Sequence, residues 1–219
     1  MIVPGAVCNG RPFVKICGLT NRADAEAAIA FGADALGFNF FPGSKRYLVF
    51  DQAVEWIADL PASILKVAVV VDPTLATAVR IGSSPYFDGL QLHGVETPAF
   101  CHALQIHGIP FAKAVPVRDE TSLGGVPDYH TPMLVLDSAG EGVFGGSGKA
   151  FSWEWARDFA RKRTELHIVL AGGLTPENVE KAVQMVRPVG VDVTSGVEVT
   201  PGRKDHQRMR EFIAVAKAL

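Results

Sequence analysis

The sequence contains little cysteine, no long apolar run and no excess of either charge. Its three cysteines, Cys8, Cys17 and Cys101, are odd in number and lack paired metal spacing, which argues against a disulfide framework or a zinc ribbon. No stretch is long and apolar enough to span a bilayer, and the first residues lack the basic region of a signal peptide. We therefore expect a cytoplasmic protein with no membrane partner.

Basic and acidic side chains are nearly balanced. The 219 residues include 21 Lys and Arg against 23 Asp and Glu, which gives a formal charge of -2. Proteins that bind nucleic acid obtain most of their affinity from clustered Lys and Arg. We therefore expect no nucleic-acid partner, whereas a small neutral or anionic ligand remains compatible with this composition.

Short apolar, β-branched runs alternate with amphipathic helical patterns along the whole chain, which is typical of a parallel α/β sheet. The predicted strands lie at 13–17, 35–40, 65–71, 89–92, 111–115, 133–137, 167–171 and 190–193. About eight βα units in so few residues predict a single-domain α/β fold, a (βα)8 TIM barrel over 1–219 with an irregular leader at 1–12. A doubly wound open sheet is the alternative.

Capping residues mark two of the predicted helices, and a third helix ends the chain. Asn21 can cap a helix at 21–31, Thr175 can cap one at 176–186, and a last helix begins near Asp205. These helices fill the intervals between predicted strands, as a barrel requires.

A glycine-rich stretch at 140–148 follows the sixth predicted strand. Residues 140–145 match the G-x-G-x-x-G dinucleotide fingerprint, but the helix that this motif should open begins only near Ser152. A P-loop is disfavoured as well, because Val143 and Ala150 replace its glycine and its hydroxyl residue. We therefore predict a lid over the barrel mouth rather than a nucleotide site.

Two further glycine turns follow the seventh and eighth predicted strands. They contain Gly172 and Gly173 in the first turn, and Ser195 and Gly196 in the second. Their backbone N–H groups can approach an anion closely, and the phosphate site of a barrel is usually built at these two strand ends. The two turns together predict a phosphate cradle, although each alone is explained by turn geometry.

Two reactive side chains end predicted strands. Cys17 ends the first strand, where alternation places Phe13, Lys15 and Cys17 on one face. Asp137 ends the sixth strand. Because the carboxyl ends of barrel strands form the catalytic mouth, both are candidate catalytic residues. The alternatives are a buried apolar thiol and a carboxylate that caps a turn.

Two more side chains follow strands at the same end. His93 comes after the fourth strand and is a candidate pocket residue. Arg46 comes after the second strand, and its planar fork suits a carboxylate, with a solvated loop charge as the alternative. The six histidines form no H-E-x-x-H motif and no ligand cluster, so no metal site is predicted.

An ordered set of motifs covers nearly the whole chain from Phe13 onward. The motifs are VKICGLT at 14–20, GADALGF at 32–38, SKRY at 44–47, LQLHG at 90–94, LAGGL at 170–174 and VDVTSGVE at 191–198. This set resembles the phosphoribosylanthranilate isomerase family. The resemblance implies a TIM barrel of tryptophan biosynthesis that rearranges N-(5-phosphoribosyl)anthranilate to 1-(2-carboxyphenylamino)-1-deoxyribulose 5-phosphate without a cofactor.

The resemblance also implies roles for particular residues. Cys17 corresponds to the family's general base, Asp137 to its general acid and Arg46 to the arginine that holds the anthranilate carboxylate. The resemblance further places the phosphate on backbone N–H groups around Gly173, Ser195 and Gly196. Together with our candidates from strand ends and turns, the expected substrate-binding residues are Arg46, His93, Gly172, Gly173, Asp192, Ser195 and Gly196. Three positions depart from the family: Ala150 replaces a threonine, Ser152 replaces an aspartate, and Thr194 stands where serine is commoner. Ser152 can still cap a helix.

Lys15 is a candidate for tuning the base. A thiol has a reference pKa of about 8.5, and a nearby ammonium group favours its anion. Since the eighth strand of a barrel closes beside the first, we predict an ion pair between Lys15 and Asp192 beneath Cys17. In the alternative, Lys15 only supports the barrel.

Two rival functions remain at this point. A sugar isomerase of the histidine pathway performs the same rearrangement with aspartates, which the thiol of Cys17 disfavours. A phosphosugar-binding module without catalysis is disfavoured by the presence of Cys17, Asp137 and Arg46 together. The expected partner is a small phosphorylated substrate, and the expected assembly is a monomer or a homodimer.

Overall fold

Eight parallel strands close into a barrel at the centre of the molecule. The computed structural model describes residues 11–138 and 151–218. The strands are β1 Phe13–Cys17, β2 Ala35–Asn39, β3 Leu65–Val70, β4 Gly89–Leu92, β5 Phe111–Val117, β6 Met133–Ser138, β7 His167–Leu170 and β8 Gly190–Val193. Each strand pairs with the next, and β8 pairs with β1. The predicted TIM barrel is therefore confirmed, the open sheet is excluded, and the predicted strand ends lie within two residues of these bounds.

Helices cover the outside of the barrel. They are α1 Arg22–Ala30, α2 Phe50–Ile57, α3 Leu75–Gly82, α4 Pro98–Ile106, α5 Thr121–Gly124, α6 Trp153–Lys162, α7 Val179–Val186 and α8 His206–Lys217. A short hairpin of β9 Glu198–Thr200 and β10 Arg203–Lys204 precedes α8. In the two described ranges, no helix combines the length and the apolar character that crossing a bilayer requires.

The predicted caps have different outcomes. The side chain of Asn21 accepts a hydrogen bond from the backbone N–H of Asp24, so the predicted cap is confirmed. The last helix begins at His206, as expected, and the structure adds that the Asp205 side chain caps it. Ser152 precedes α6 but makes no side-chain capping bond.

The predicted helix at 176–186 with Thr175 as its cap is wrong at its start. Helix α7 begins at Val179. The side chain of Asn178 accepts the backbone N–H of Thr175 at 2.8 Å and donates to the carbonyl oxygen of Gly173 at 2.9 Å. These bonds hold residues 175–178 in a turn that is tied to the glycine turn after β7. Residues 176–178 are therefore not part of the helix.

The barrel interior changes from apolar to polar along its axis. The inner apolar cluster consists of Phe13, Val67, Ala112, Ala114, Met133, Val135, Val169 and Ala171. Above it, towards the carboxyl ends of the strands, lie the buried polar side chains of Lys15, Gln91, Asp137 and Asp192. Buried polar groups require partners, so this upper layer is the part of the interior where a functional site is expected.

A larger apolar core lies between the strands and the helices. It includes Phe38, Leu90, Leu136, Val191 and Phe212, all nearly or fully buried. Burying each such side chain contributes about 1.5–3 kcal/mol. This outer layer holds the strands in register, which leaves the upper interior free to carry polar groups.

Candidate active site

Cys17 lies at the carboxyl end of β1, with its side chain on the interior face. The thiol is buried, and the neighbouring strand accommodates it with Gly37, where an added Cβ would lie 2.6 Å from Sγ. The backbone carbonyl of Cys17 accepts a hydrogen bond from Nζ of Lys204 at 2.6 Å. The sequence placed Cys17 here, but the requirement for glycine on β2 became visible only with the strand register.

Lys15 and Asp192 form a buried ion pair below the thiol. They lie opposite one another in the register of β1 and β8, and Nζ of Lys15 is 2.7 Å from Oδ2 of Asp192. The predicted pair is therefore confirmed. Burial lowers the pKa of Lys15, but the charges of Asp192 and Cys17 outweigh it and raise that pKa, so Lys15 stays protonated.

The pKa of the Cys17 thiol reflects three opposing influences. Burial raises it most, the ammonium of Lys15 lowers it, and the carboxylate of Asp192 raises it again. The net direction is upward. Lys15 thus acts in the predicted direction, but burial prevails, and the thiolate population grows as the pH rises towards the thiol pKa.

Substitution of Lys15 by methionine is expected to raise the pKa of Cys17 further. The loss of a positive charge destabilises the thiolate, so alkylation of Cys17 by iodoacetamide should become slower at a given pH and its rate profile should move to higher pH. The measurement is the alkylation rate against pH, with a Cys17→Ala variant reporting the background from Cys8 and Cys101. An unmoved profile in a folded variant would leave Lys15 with a supporting role only.

Lys15→Met leaves the carboxylate of Asp192 buried without its partner, which can disturb the fold. Two further variants distinguish this structural effect from the effect of the lost charge on the pKa of Cys17. Asp192→Asn alone should lower the pKa of Cys17, because it removes a neighbouring negative charge. The double variant Lys15→Met/Asp192→Asn removes both charges and should shift the profile upward by less than Lys15→Met does. A profile that moved the same way in Asp192→Asn and Lys15→Met would contradict the electrostatic explanation.

Asp137 lies in β6, across the mouth from Cys17, and is held by a polar chain. Its Oδ2 lies 3.1 Å from Nε2 of His93, whose Nδ1 lies 2.9 Å from Nε2 of Gln91. With the Gln91 amide oriented this way, Nδ1 of His93 is the acceptor and Nε2 carries the proton that points at Asp137. The other oxygen, Oδ1, is buried and has no hydrogen-bond partner among the described residues.

The two glycine turns pack against one another and against Asp137. Gly172 and Gly173 have φ of +77° and +67°, a conformation that favours glycine. A Cβ on Gly172 would lie 2.7 Å from Oδ1 of Asp137, and one on Gly196 would lie 1.8 Å from the carbonyl oxygen of Leu174. At Gly172 and Gly196 the turns therefore leave no room for a side chain, which suits the close approach of an anion to their backbone. Ser195 is the first residue of a short 3-10 helix, Ser195–Val197, that follows β8.

Arg46 lies at the same mouth, but the sequence did not indicate its partner. Its Nε and Nη2 bind Oε1 and Oε2 of Glu198 at 3.2 and 2.5 Å. Glu198 in turn contacts Nζ of Lys204 at 3.2 Å. Sequence reasoning missed Glu198, Lys204 and Gln91. Two signals were available: Glu198 is the last residue of the motif at 191–198, and Gln91 lies on the same strand face as His93.

Other predicted features lie elsewhere. Cys101 is fully buried on α4, where burial raises its pKa to about 11, so it remains a neutral thiol. The predicted lid at 140–148 and Cys8 lie outside the described residues. Within the described part of the chain, no three His, Cys, Asp or Glu side chains group as metal ligands.

Comparison with known proteins agrees with this geometry. Residues 14–215 match the family model described as N-(5'phosphoribosyl)anthranilate (PRA) isomerase. The chain is 44% identical over 206 residues to N-(5'-phosphoribosyl)anthranilate isomerase from Geobacter sp. (strain M21), an alignment that covers 94% of this chain and 98% of the relative.

Two solved structures are similar throughout their length. One is phosphoribosyl anthranilate isomerase in complex with reduced 1-(o-carboxyphenylamino)-1-deoxyribulose 5-phosphate, with a TM-score of 0.83 and 37% identity. The other is a monomer generated from the dimeric enzyme of Thermotoga maritima, with a TM-score of 0.82 and 37% identity. Each comparison covers 95% of this chain and 100% of the other. The chain belongs to the N-(5'-phosphoribosyl)anthranilate isomerase family.

Proposed function

We propose that the chain catalyses the Amadori rearrangement of N-(5-phosphoribosyl)anthranilate in tryptophan biosynthesis, with Cys17 as general base and Asp137 as general acid. The observation that carries this proposal is the placement of a buried thiol and a buried carboxyl group at one barrel mouth, beside a glycine cradle. An aldose to ketose rearrangement needs one group to donate a proton and one to remove a proton.

Asp137 opens the ribose ring in the first step. Its proton passes to the ring oxygen, the bond between that oxygen and C1′ breaks, and the anthranilate nitrogen supplies the electron pair of the resulting iminium. His93 already occupies Oδ2. The proton is therefore assigned to Oδ1, the buried oxygen with no partner in the described ranges, which lies beside Gly172.

Cys17 acts in the second step. The thiolate removes the proton from C2′, and the electron pair forms a C1′=C2′ double bond as the iminium nitrogen recovers its lone pair. The enolamine then gains a proton at C1′ and loses one from the 2′-hydroxyl group, which gives the ketone. Since burial raises the pKa of Cys17, the thiolate is a stronger base than an exposed thiolate when it forms.

Two anion sites orient the substrate between these groups. The phosphate binds to backbone N–H groups of the turns that contain Gly173, Ser195 and Gly196, and Arg46 holds the anthranilate carboxylate. Fixing both ends of the substrate holds C1′ and C2′ at a defined position relative to Cys17 and Asp137. No step requires a cofactor or a metal ion.

We further propose the setting of the reaction. The partner is the small phosphorylated substrate, with no nucleic-acid or membrane partner, and the chain acts in the cytoplasm. The chain acts as a monomer or a homodimer, the latter in keeping with the dimeric Thermotoga maritima relative.

The experiment that tests the activity is a direct turnover assay. N-(5-Phosphoribosyl)anthranilate is generated in situ with coupling reagents of known activity, and its fluorescence is followed after the purified chain is added. The expected result is loss of fluorescence at a rate proportional to enzyme concentration. A trace that does not change would refute the proposed activity.

Replacement of Arg46 by alanine is expected to raise KM by roughly 10- to 100-fold, because a hydrogen bond between charged groups contributes about 1.5–3 kcal/mol. The affinity for ribose 5-phosphate, which has no anthranilate carboxylate, should stay unchanged. Calorimetry with both ligands makes the comparison. Equal weakening for both would assign Arg46 to the phosphate or to the fold.

A further inference from the structure

We infer that Glu198 is a positioning residue that fixes the free edge of the Arg46 guanidinium, and thereby makes the site select an N-aryl substrate with an ortho carboxylate. This inference rests on the proposed function. It concerns how the chain recognises the aryl end of the substrate, which depends on the direction in which Arg46 presents its remaining donors.

The pair between Arg46 and Glu198 uses one edge of the guanidinium group. Glu198 accepts from Nε at 3.2 Å and from Nη2 at 2.5 Å, which is the side-on edge. A guanidinium group has five N–H donors, so three remain. One on Nη1 and one on Nη2 are parallel and form the end-on edge, whose shape matches a second carboxylate.

The stem of Arg46 is packed beside the catalytic cysteine. An added Cβ on Gly18 would lie 3.1 Å from Cγ of Arg46. Gly18 has φ of +73° and directly follows Cys17. The stem and the side-on edge are both fixed, so the guanidinium plane has one orientation relative to the thiol.

Glu198 is itself held rigidly by buried partners. Its side chain is 3% exposed, and its Oε1 also accepts from the backbone N–H of Gly202 and from Nζ of Lys204, each at 3.2 Å. The Lys204 side chain is fully buried and donates to the carbonyl oxygens of Cys17 and Thr194. Two donors other than Arg46, the N–H of Gly202 and Nζ of Lys204, hold this carboxylate, so it does not follow a moving arginine and determines where the arginine points.

Two roles of Glu198 predict effects of opposite sign. If Glu198 only neutralises the charge of Arg46, its removal leaves a stronger positive field and anionic ligands bind more tightly. If Glu198 positions Arg46, its removal releases the guanidinium plane and weakens binding of the carboxylate-bearing ligand. The geometry points to the second effect, because Lys204 already balances the charge of Glu198.

The experiment compares two binding probes in calorimetry. One is reduced 1-(o-carboxyphenylamino)-1-deoxyribulose 5-phosphate, and the other is the same compound without the carboxylate. In Glu198→Gln, affinity for the first should fall by about 10-fold, while affinity for the second should not change. In turnover, KM should rise and kcat should stay within a few-fold.

A second variant keeps the inference testable if Glu198→Gln does not fold, because glutamine leaves Lys204 without its buried counter-charge. Glu198→Asp keeps that charge but is one methylene shorter, so it cannot reach both nitrogens of Arg46, and the same selective loss is expected. Glu165→Gln is the matched control, since it breaks an Arg–Glu contact, to Arg163, on the exposed surface.

A double-mutant cycle completes the test. Because Glu198 acts through Arg46, Arg46→Ala/Glu198→Gln should bind the carboxylate-bearing probe no more weakly than Arg46→Ala alone. Additive losses, equal weakening of both probes, unchanged binding, or tighter binding of the carboxylate-bearing probe would each overturn the inference. The binding readout does not depend on turnover, so a chain that binds selectively but does not react would contradict only the proposed catalysis.

Discussion

Replacing Cys17 with alanine is expected to lower kcat by about 10²- to 10⁴-fold, the range associated with loss of a general base. This corresponds to about 3–5 kcal/mol of activation free energy. The thiol is buried beside Gly37, and alanine differs from cysteine there only by the sulfur atom, so the barrel should fold and the substrate should still bind. The measurement is steady-state turnover together with binding of the reduced product analogue.

The pH profile provides a second signature of the same residue. Because burial raises the pKa of Cys17, the thiolate fraction and kcat/KM should rise together as the pH increases through the thiol pKa. This limb should be absent from the residual activity of Cys17→Ala. Cys101→Ala is the matched control, since this buried thiol belongs to α4 on the outside of the barrel, and the variant should keep near-normal kcat. Near-normal turnover by Cys17→Ala would remove the assigned role.

Asp137→Asn is the other variant with a large expected effect, again about 10²- to 10⁴-fold in kcat. Asparagine has nearly the same shape, and its amide oxygen can still accept from Nε2 of His93, but it has no acidic proton to give to the ring oxygen. Ring opening should therefore become rate-limiting while the affinity for the reduced product analogue changes little.

Asp88→Asn tests whether loss of any aspartate next to a barrel strand has this effect. Asp88 directly precedes β4, at the opposite end of the barrel, where its Oδ2 accepts the backbone N–H of Lys66. This variant should lose some stability but retain kcat. A kcat for Asp137→Asn that matched the unsubstituted chain would exclude Asp137 as the acid, and equal losses in both variants would indicate a general structural effect.

The sequence was most informative where the chain is regular. Strand alternation and barrel closure together predicted that Lys15 and Asp192 would meet, although they are 177 positions apart. The same alternation placed Cys17 on the interior face. These predictions succeeded because a strand has only two faces and a closed barrel has only one neighbour left for its first strand.

Irregular backbone was less predictable. Glu198 and Lys204 lie in the β9 and β10 hairpin, where no periodicity indicates the direction of a side chain, so their contacts with Arg46 and Cys17 were not foreseen. Thr175 and Pro176 have the residue types of a helix start, but the bonds of Asn178 fold them into a turn. Local tertiary contacts prevailed over local preference at both places.

The contact between Lys204 and the carbonyl oxygen of Cys17 joins residues 187 positions apart. Cys17 therefore lies where β1 meets both β8 and the hairpin that follows β8. An unfinished chain that lacks the final segment contains the thiol but neither its electrostatic setting nor the anchor of Arg46. The contacts around Cys17 therefore include some of the largest sequence separations in the described residues, and loop-closure entropy makes such distant contacts slow to form. A ligand that contacts both Cys17 and the turn after β8 binds only the folded barrel. Its binding therefore raises the free energy of unfolding.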